Sequence, residues 1–185
     1  MRKVANILLI VCLMVVLTAC ESRTDRTDSG GVLLSITDFD GLPIAVSENA
    51  AAASGFVQVE EVTVENVPAN PNGDVGDLMN VEVVSYEVTY SRCDRGTRVP
   101  TKFVRGIFGV VPVGGEINYD NLPIMGPDQL NTVPLSDLLY EQGAVDTETG
   151  ESKICLNFGL RFFGRTLSGN AVETAPAYFT VEFTP

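Results

Sequence analysis

Two stretches of strict alternation constrain this chain more than any other feature of it. Tyr86, Val88 and Tyr90 alternate with Glu87, Thr89 and Ser91, and Ile154, Leu156, Phe158, Leu160 and Phe162 alternate with Lys153, Asn157 and Arg161. Successive side chains of a strand point to opposite faces, so a period of two requires sheets with one buried face and one solvated face. The surrounding chain keeps the same rhythm: from Val32 onward, short runs rich in Val, Ile, Phe, Tyr and Thr are broken by Gly, Pro, Asn and Asp. This predicts an all-β, antiparallel sandwich of about seven strands. The expected strands are Val32 to Thr37, Phe56 to Val67, Val81 to Cys93, Thr101 to Val111, Lys153 to Phe163, Thr166 to Val172 and Tyr178 to Phe183. In the second of them, Val57 and Val59 have the parity opposite to Val62 and Val64, and a bulge at Glu60-Glu61 would put all four valines on the core side. One short helix is expected from Pro134 to Gly143, opened by Pro and an acid, stopped by Gly, and capping one end of the sandwich.

The N-terminus has a different character. Arg2 and Lys3 precede an apolar run from Ile7 to Leu17, and Thr18-Ala19-Cys20 closes it. That order of charge, apolar core and small residues is a secretion signal, too short to span a bilayer comfortably. Leu17-Thr18-Ala19-Cys20 resembles the lipobox of bacterial lipoproteins. The resemblance implies cleavage before Cys20 and lipid on its thiol, which becomes the first residue of the mature chain. Glu21 to Gly31 (ESRTDRTDSGG) is polar and glycine-ended and reads as a flexible spacer. The expected organisation is therefore a signal peptide over 1–19, a lipidated spacer over 20–31 and a β-sandwich domain over 32–185. By the lipoprotein pattern, Glu21 after the lipidated position leaves the outer membrane as the default in a two-membrane envelope, and otherwise the protein sits on the outer face of the plasma membrane.

Without residues 1–19 the chain keeps ten Lys and Arg against 24 Asp and Glu, a net charge of −14. Such a body repels phosphate backbones, so nucleic acid is not an expected partner. No Lys or Arg occurs between Thr27 and Ser91, whereas Arg92, Arg95, Arg98, Lys102 and Arg105 crowd one stretch. That stretch is either a patch for an anionic partner or a solvated hairpin whose charges are offset by nearby acids; the second reading is preferred. Once Cys12 leaves with the signal and Cys20 takes the lipid, Cys93 and Cys155 remain, and outside the cytoplasm such a pair is expected to be joined. Each follows the polar set of its own strand, so the bridge is expected on an outward face, between neighbouring strands or strand ends.

The chain has no histidine, which excludes Ser-His-Asp and Cys-His chemistry and makes a zinc site improbable. Asp28-Ser29-Gly30 matches the aspartic protease signature, but that signature needs two copies and only one is present. Calcium candidates are Asp38 and Asp40 in Asp-Phe-Asp-Gly, and Asp74 and Asp77 in Asn-Pro-Asn-Gly-Asp-Val-Gly-Asp. An EF-hand-type loop counted from Asn70 would need Gly and Glu where Val75 and Val81 stand, and Asn, Asp and Gly form turns by their own backbone chemistry. No metal, cofactor or catalytic residue is therefore assigned.

Phe162 to Val172, with its Gly-x-x-x-x-Gly-Asn turn, and Tyr178 to Phe183 resemble the last hairpin of bacterial immunoglobulin-like and fibronectin type III-like domains. The resemblance implies a sandwich serving as a binding or spacer module. The expected protein is thus a non-enzymatic envelope lipoprotein, anchored through Cys20 and presenting its sandwich to an envelope protein or a polysaccharide. The alternative is a carboxylate-based hydrolase of cell-wall or other glycans.

Overall fold

The computed structural model describes residues 31–185. The signal, Cys12, Cys20 and Asp28-Ser29-Gly30 lie outside the described residues. Among these residues, nine strands form two sheets. The strands are β1 (Val32–Asp40), β2 (Ala45–Ser47), β3 (Val57–Pro68), β4 (Val81–Arg92), β5 (Phe103–Val111), β6 (Gly115–Met125), β7 (Ile154–Thr166), β8 (Ala171–Glu173) and β9 (Ala177–Thr184). One sheet has the order β1-β3-β6, and the other has β2-β9-β7-β4-β5 with β8 added to β7. All pairings are antiparallel except the short β2–β9 contact. Setting β2 and β8 aside, the first, second and fifth long strands share one sheet and the third, fourth, sixth and seventh share the other. That two-sheet division is compatible with an immunoglobulin-like sandwich, with the fourth long strand beside the third.

The alternating stretches build the core as their parity requires. Ile154, Leu156, Phe158, Leu160 and Phe162 of β7 are fully buried, as are Val88 and nearly all of Tyr86 on β4. Both β4 tyrosines cross the interior to the opposite sheet, Tyr86 donating its hydroxyl to the Pro123 carbonyl at 2.6 Å and Tyr90 to the Ile124 carbonyl at 2.7 Å. Tyr119 of β6 stacks on Phe162 with ring centroids 5.4 Å apart. A buried aromatic side chain removes on the order of 150–250 Å² from water, so these rings dominate the energetics of the interior.

Val57, Val59, Val62 and Val64 are all buried, as the core demands. The change of face is not made by a bulge at Glu60-Glu61. Glu61 pairs with Asp120 and Val59 with Leu122 in unbroken register, so β3 and β6 change parity together, and Asn121 takes a φ of 50° at that step. Register shifts fall instead between Val57 and Gln58 on the β6 side and between Ile36 and Asp38 on β1.

The helical segments also differ from expectation. Leu135–Leu138 and Tyr140–Gln142 are two separate 3-10 turns, because Leu139 adopts an extended conformation with ψ 139°. Their buried Leu135 and Leu138 pack with two short helices the alternation did not reveal, α1 (Glu48–Ser54) and α2 (Pro127–Leu130). The Ala-rich α1 stops at Gly55, whose left-handed φ of 84° lets its N–H reach the Ala51 carbonyl. Since α1 leads into Val57 and α2 follows Met125, and those two residues pair, the cluster caps that end of the sandwich. Thr166 to Val172 is not a strand. β7 continues to Thr166, a turn closes with the Gly169 N–H on the Thr166 carbonyl, and only Ala171–Glu173 returns along β7.

Candidate functional site

Cys93 and Cys155 form a disulfide that joins the end of β4 to the start of β7, with Cα atoms 5.2 Å apart. Cys93 is exposed and Cys155 half-buried, so the staple lies on the outward side and not across the core. Around it sits the cationic stretch, and the structure supplies its counter-charges from two loops and from β4. The Arg92 guanidinium, only 3% exposed, reaches Asp94 at 2.6 Å and the wholly buried Asp146 at 2.7 Å. Arg98 lies 3.4 Å from both Asp137 and Asp146 and 3.5 Å from Glu148, Arg95 is 3.5 Å from Glu151, and Lys102 is 2.7 Å from Glu87. Arg105 instead stands over the Phe56 ring, 5.8 Å from its centroid.

The acids respond to these neighbours. Burial opposes ionisation of Asp94, but Arg92 and the N–H groups of Cys155 and Gly96 outweigh it and hold the carboxyl at about 2. Asp146 is likewise lowered against the effect of burial by Arg92, the Glu148 N–H and the Thr149 hydroxyl. The Thr97 hydroxyl and the Arg98 N–H bring Glu148 to about 2. A cluster this fully compensated welds loops together and leaves little field for an anionic polymer.

The opposite sheet is sorted by charge. β1, β3 and β6 contain no Lys or Arg. Asp40, Glu61 and Asp120 stand opposite one another across all three strands, and Glu65 stands opposite Glu116. With Val62 and Val64 buried, Glu61 and Glu65 face away from the core, as do their partners in register. Adjacent strands are about 4.8 Å apart. Like charges directly opposite at that spacing are destabilising, and none of these acids forms an ion pair among the described residues.

A third surface adjoins the other two. β5 ends the larger sheet and pairs only with β4. Its outward side chains are apolar: Val104 is 55%, Phe108 73% and Val110 41% exposed. Its inward face lies against β6, because a Cβ on Gly109 would come within 2.6 Å of the Ile117 and Tyr119 side chains. Beside the start of β5, α2 borders two adjoining hollows that share Pro127 and the exposed Asp128. One, of about 340 Å³, is lined by Lys102, Phe103 and Val104; the other, of about 520 Å³, by Val99, Thr101 and Val133.

The calcium candidates do not come together. Asp38 and Asp40 are on β1 beside Thr63 and Glu61, whereas Asp74 and Asp77 lie in the loop that follows Pro68, at the other end of β3. The Asp38 and Asp40 carboxylates accept hydrogen bonds from the next backbone N–H at 2.8 Å, and Asn70 accepts from the Asn72 N–H, which is turn chemistry. Among the described residues no group of three or more acidic or sulfur side chains is arranged to hold a metal ion. Nothing in the sequence pattern marks Glu48, the first residue of α1. Its carboxyl is fully buried, neither oxygen has a hydrogen-bond partner, and burial raises its pKa to about 8.

Comparison with protein-family models, with curated proteins and with solved structures gave no match for this chain.

Proposed function

We propose that this protein is a lipid-anchored envelope module, held through Cys20, whose sandwich binds a partner protein or polysaccharide and carries out no chemistry of its own. The observation that supports this reading is the segregation of charge. One sheet bears rows of acids in direct cross-strand register with no cation among them, while the cations of the domain lie elsewhere and all but Arg105 are bound into ion pairs. A sheet face that bears such rows is favoured when a partner offsets the repulsion. A hydrolase would instead place two carboxyls across a cleft, about 5 to 9.5 Å apart. The acids of the three-stranded sheet stand side by side on one outward face.

The test is chemical cross-linking of intact cells, followed by detergent extraction and mass spectrometry. The expected product begins at an acylated Cys20 and carries a cross-linked partner. A soluble, unacylated chain without adducts contradicts the proposal.

A further inference from the structure

We propose that the free edge of β5, together with the hollows beside α2, takes up an extended, alternately apolar and cationic segment of a partner protein as an added strand. The inference rests on the binding-module reading and gives that module its site.

An unpaired strand edge presents a row of N–H and C=O groups that templates another strand, and proteins normally blunt such edges with charges, prolines or bulges. The two edges of the smaller sheet follow that practice. β1 carries Asp38, Asp40 and a register shift, and β6 carries Glu116, Asp120 and Pro123. β5 does not. Over nine residues it has one charged side chain, Arg105, which is engaged over Phe56, and its outward positions are Val104, Gly106, Phe108 and Val110.

Strand addition explains that pattern. One face of an incoming strand would lie alongside Val104, Phe108 and Val110. Its alternate side chains would point the other way, and at the Phe103 end they would reach towards Asp128 between the two hollows. Apolar groups suit the first face and Lys or Arg the second. Charge also decides against a second copy of this chain. Residues 31–185 hold 21 acids against eight cations, and pairing two β5 edges would bring two acidic β6 strands towards each other.

The probe is a fluorescent nine-residue peptide of alternating Val and Lys, titrated with the purified protein and followed by anisotropy. The comparison peptide carries Glu in place of Lys. Two further Val–Lys peptides are N-methylated, one at every Val and the other at every Lys. Because only alternate N–H groups of an added strand face the edge, one methylated peptide is expected to keep its affinity and the other to lose it. The Glu peptide is expected to bind at least about tenfold more weakly, and the Val–Lys affinity to fall as salt rises. Phe108→Lys, at an exposed position, is expected to weaken binding about tenfold with an unchanged thermal midpoint, and Val104→Lys provides a second variant. Equal affinity of the two methylated peptides, or no saturable binding, overturns the proposal. So does a concentration-dependent dimer in sedimentation that Phe108→Lys dissociates, since that assigns the edge to a second copy. If the peptides fail while cross-linked cells still yield a partner, the β5 site falls and the module reading stands.

Discussion

Replacing Glu48 with Gln is expected to stabilise the protein, and to do so only above mild acidity. In the folded protein the Glu48 carboxyl is buried without a hydrogen-bond partner and its pKa is raised from 4.5 to about 8. The unfolded chain ionises this group near 4.5, while the folded chain keeps it protonated up to about 8. The folded state therefore holds an extra proton through that window, and each pH unit removes about 1.4 kcal/mol of stability. The contribution is fully present below 4.5 and is lost as pH rises towards 8, for a total of about 5 kcal/mol. Gln has nearly the shape and polarity of the protonated acid but does not titrate. The variant and the parent should match at pH 4.5, and the variant should lead by about 3 kcal/mol at pH 7. For a domain of this size that is roughly 6 to 12 °C in midpoint. Urea unfolding of both proteins at half-unit steps from pH 4.5 to 8.5 measures the difference directly, and other titrating groups cancel in it. Parallel stability curves would refute the reasoning, because they would mean that Glu48 reaches water or a partner when ionised.

Asp146→Ala removes the wholly buried partner of Arg92 and Arg98; leaving that guanidinium short of a counter-charge is expected to cost about 3 kcal/mol by denaturant unfolding. The paired Arg92→Leu/Asp146→Leu variant should recover part of that loss, as a double-mutant cycle would show. Reducing the Cys93–Cys155 bond, or replacing both residues with Ser, opens a link with a sequence separation of 62 and is expected to lower stability by about 4 kcal/mol in the same assay. Acid titration followed by circular dichroism should show a loss of stability as pH falls from about 4 towards 2. Asp94 and Glu148 both sit at about 2 in the folded protein, so their contribution is present above the ordinary carboxylate range and vanishes as they protonate.

The strands that carry a clean period of two were legible because burial on one face and hydration on the other leave a mark in composition. β4 and β7 announce both their existence and their inward residues, and the parity of Cys93 and Cys155 places their bridge on the outside. β6 was invisible for a physical reason. Ile117 and Tyr119 alternate with Glu116 and Asn118, but the pattern breaks at Asn121, where the strand changes face, and Pro123 follows. The same change of face explains the valines of β3, which looked like a bulge because a sequence does not show that a neighbouring strand turns with it. The leucines at 135, 138 and 139 suggested one helix face, yet Leu139 is extended and the packing is shared among short turns. Apart from Asp94, the acids that neutralise Arg92 and Arg98 come from a segment 39 to 56 residues away along the chain, so their pairing depends on the fold. Glu48 gave no signal at all, since an acid at the start of an alanine run ordinarily reads as solvated.

The most direct measurement is site-specific photocross-linking in intact cells, with the photoreactive residue placed at Phe108 on β5 and, in a second strain, at Tyr140, the first residue of the second 3-10 turn. Both positions are exposed, so neither placement disturbs the core. The account predicts an adduct to a single partner from position 108, mapping to an extended segment that alternates apolar and basic residues, and none from position 140. Equal labelling from both positions, or no adduct from position 108, would contradict it.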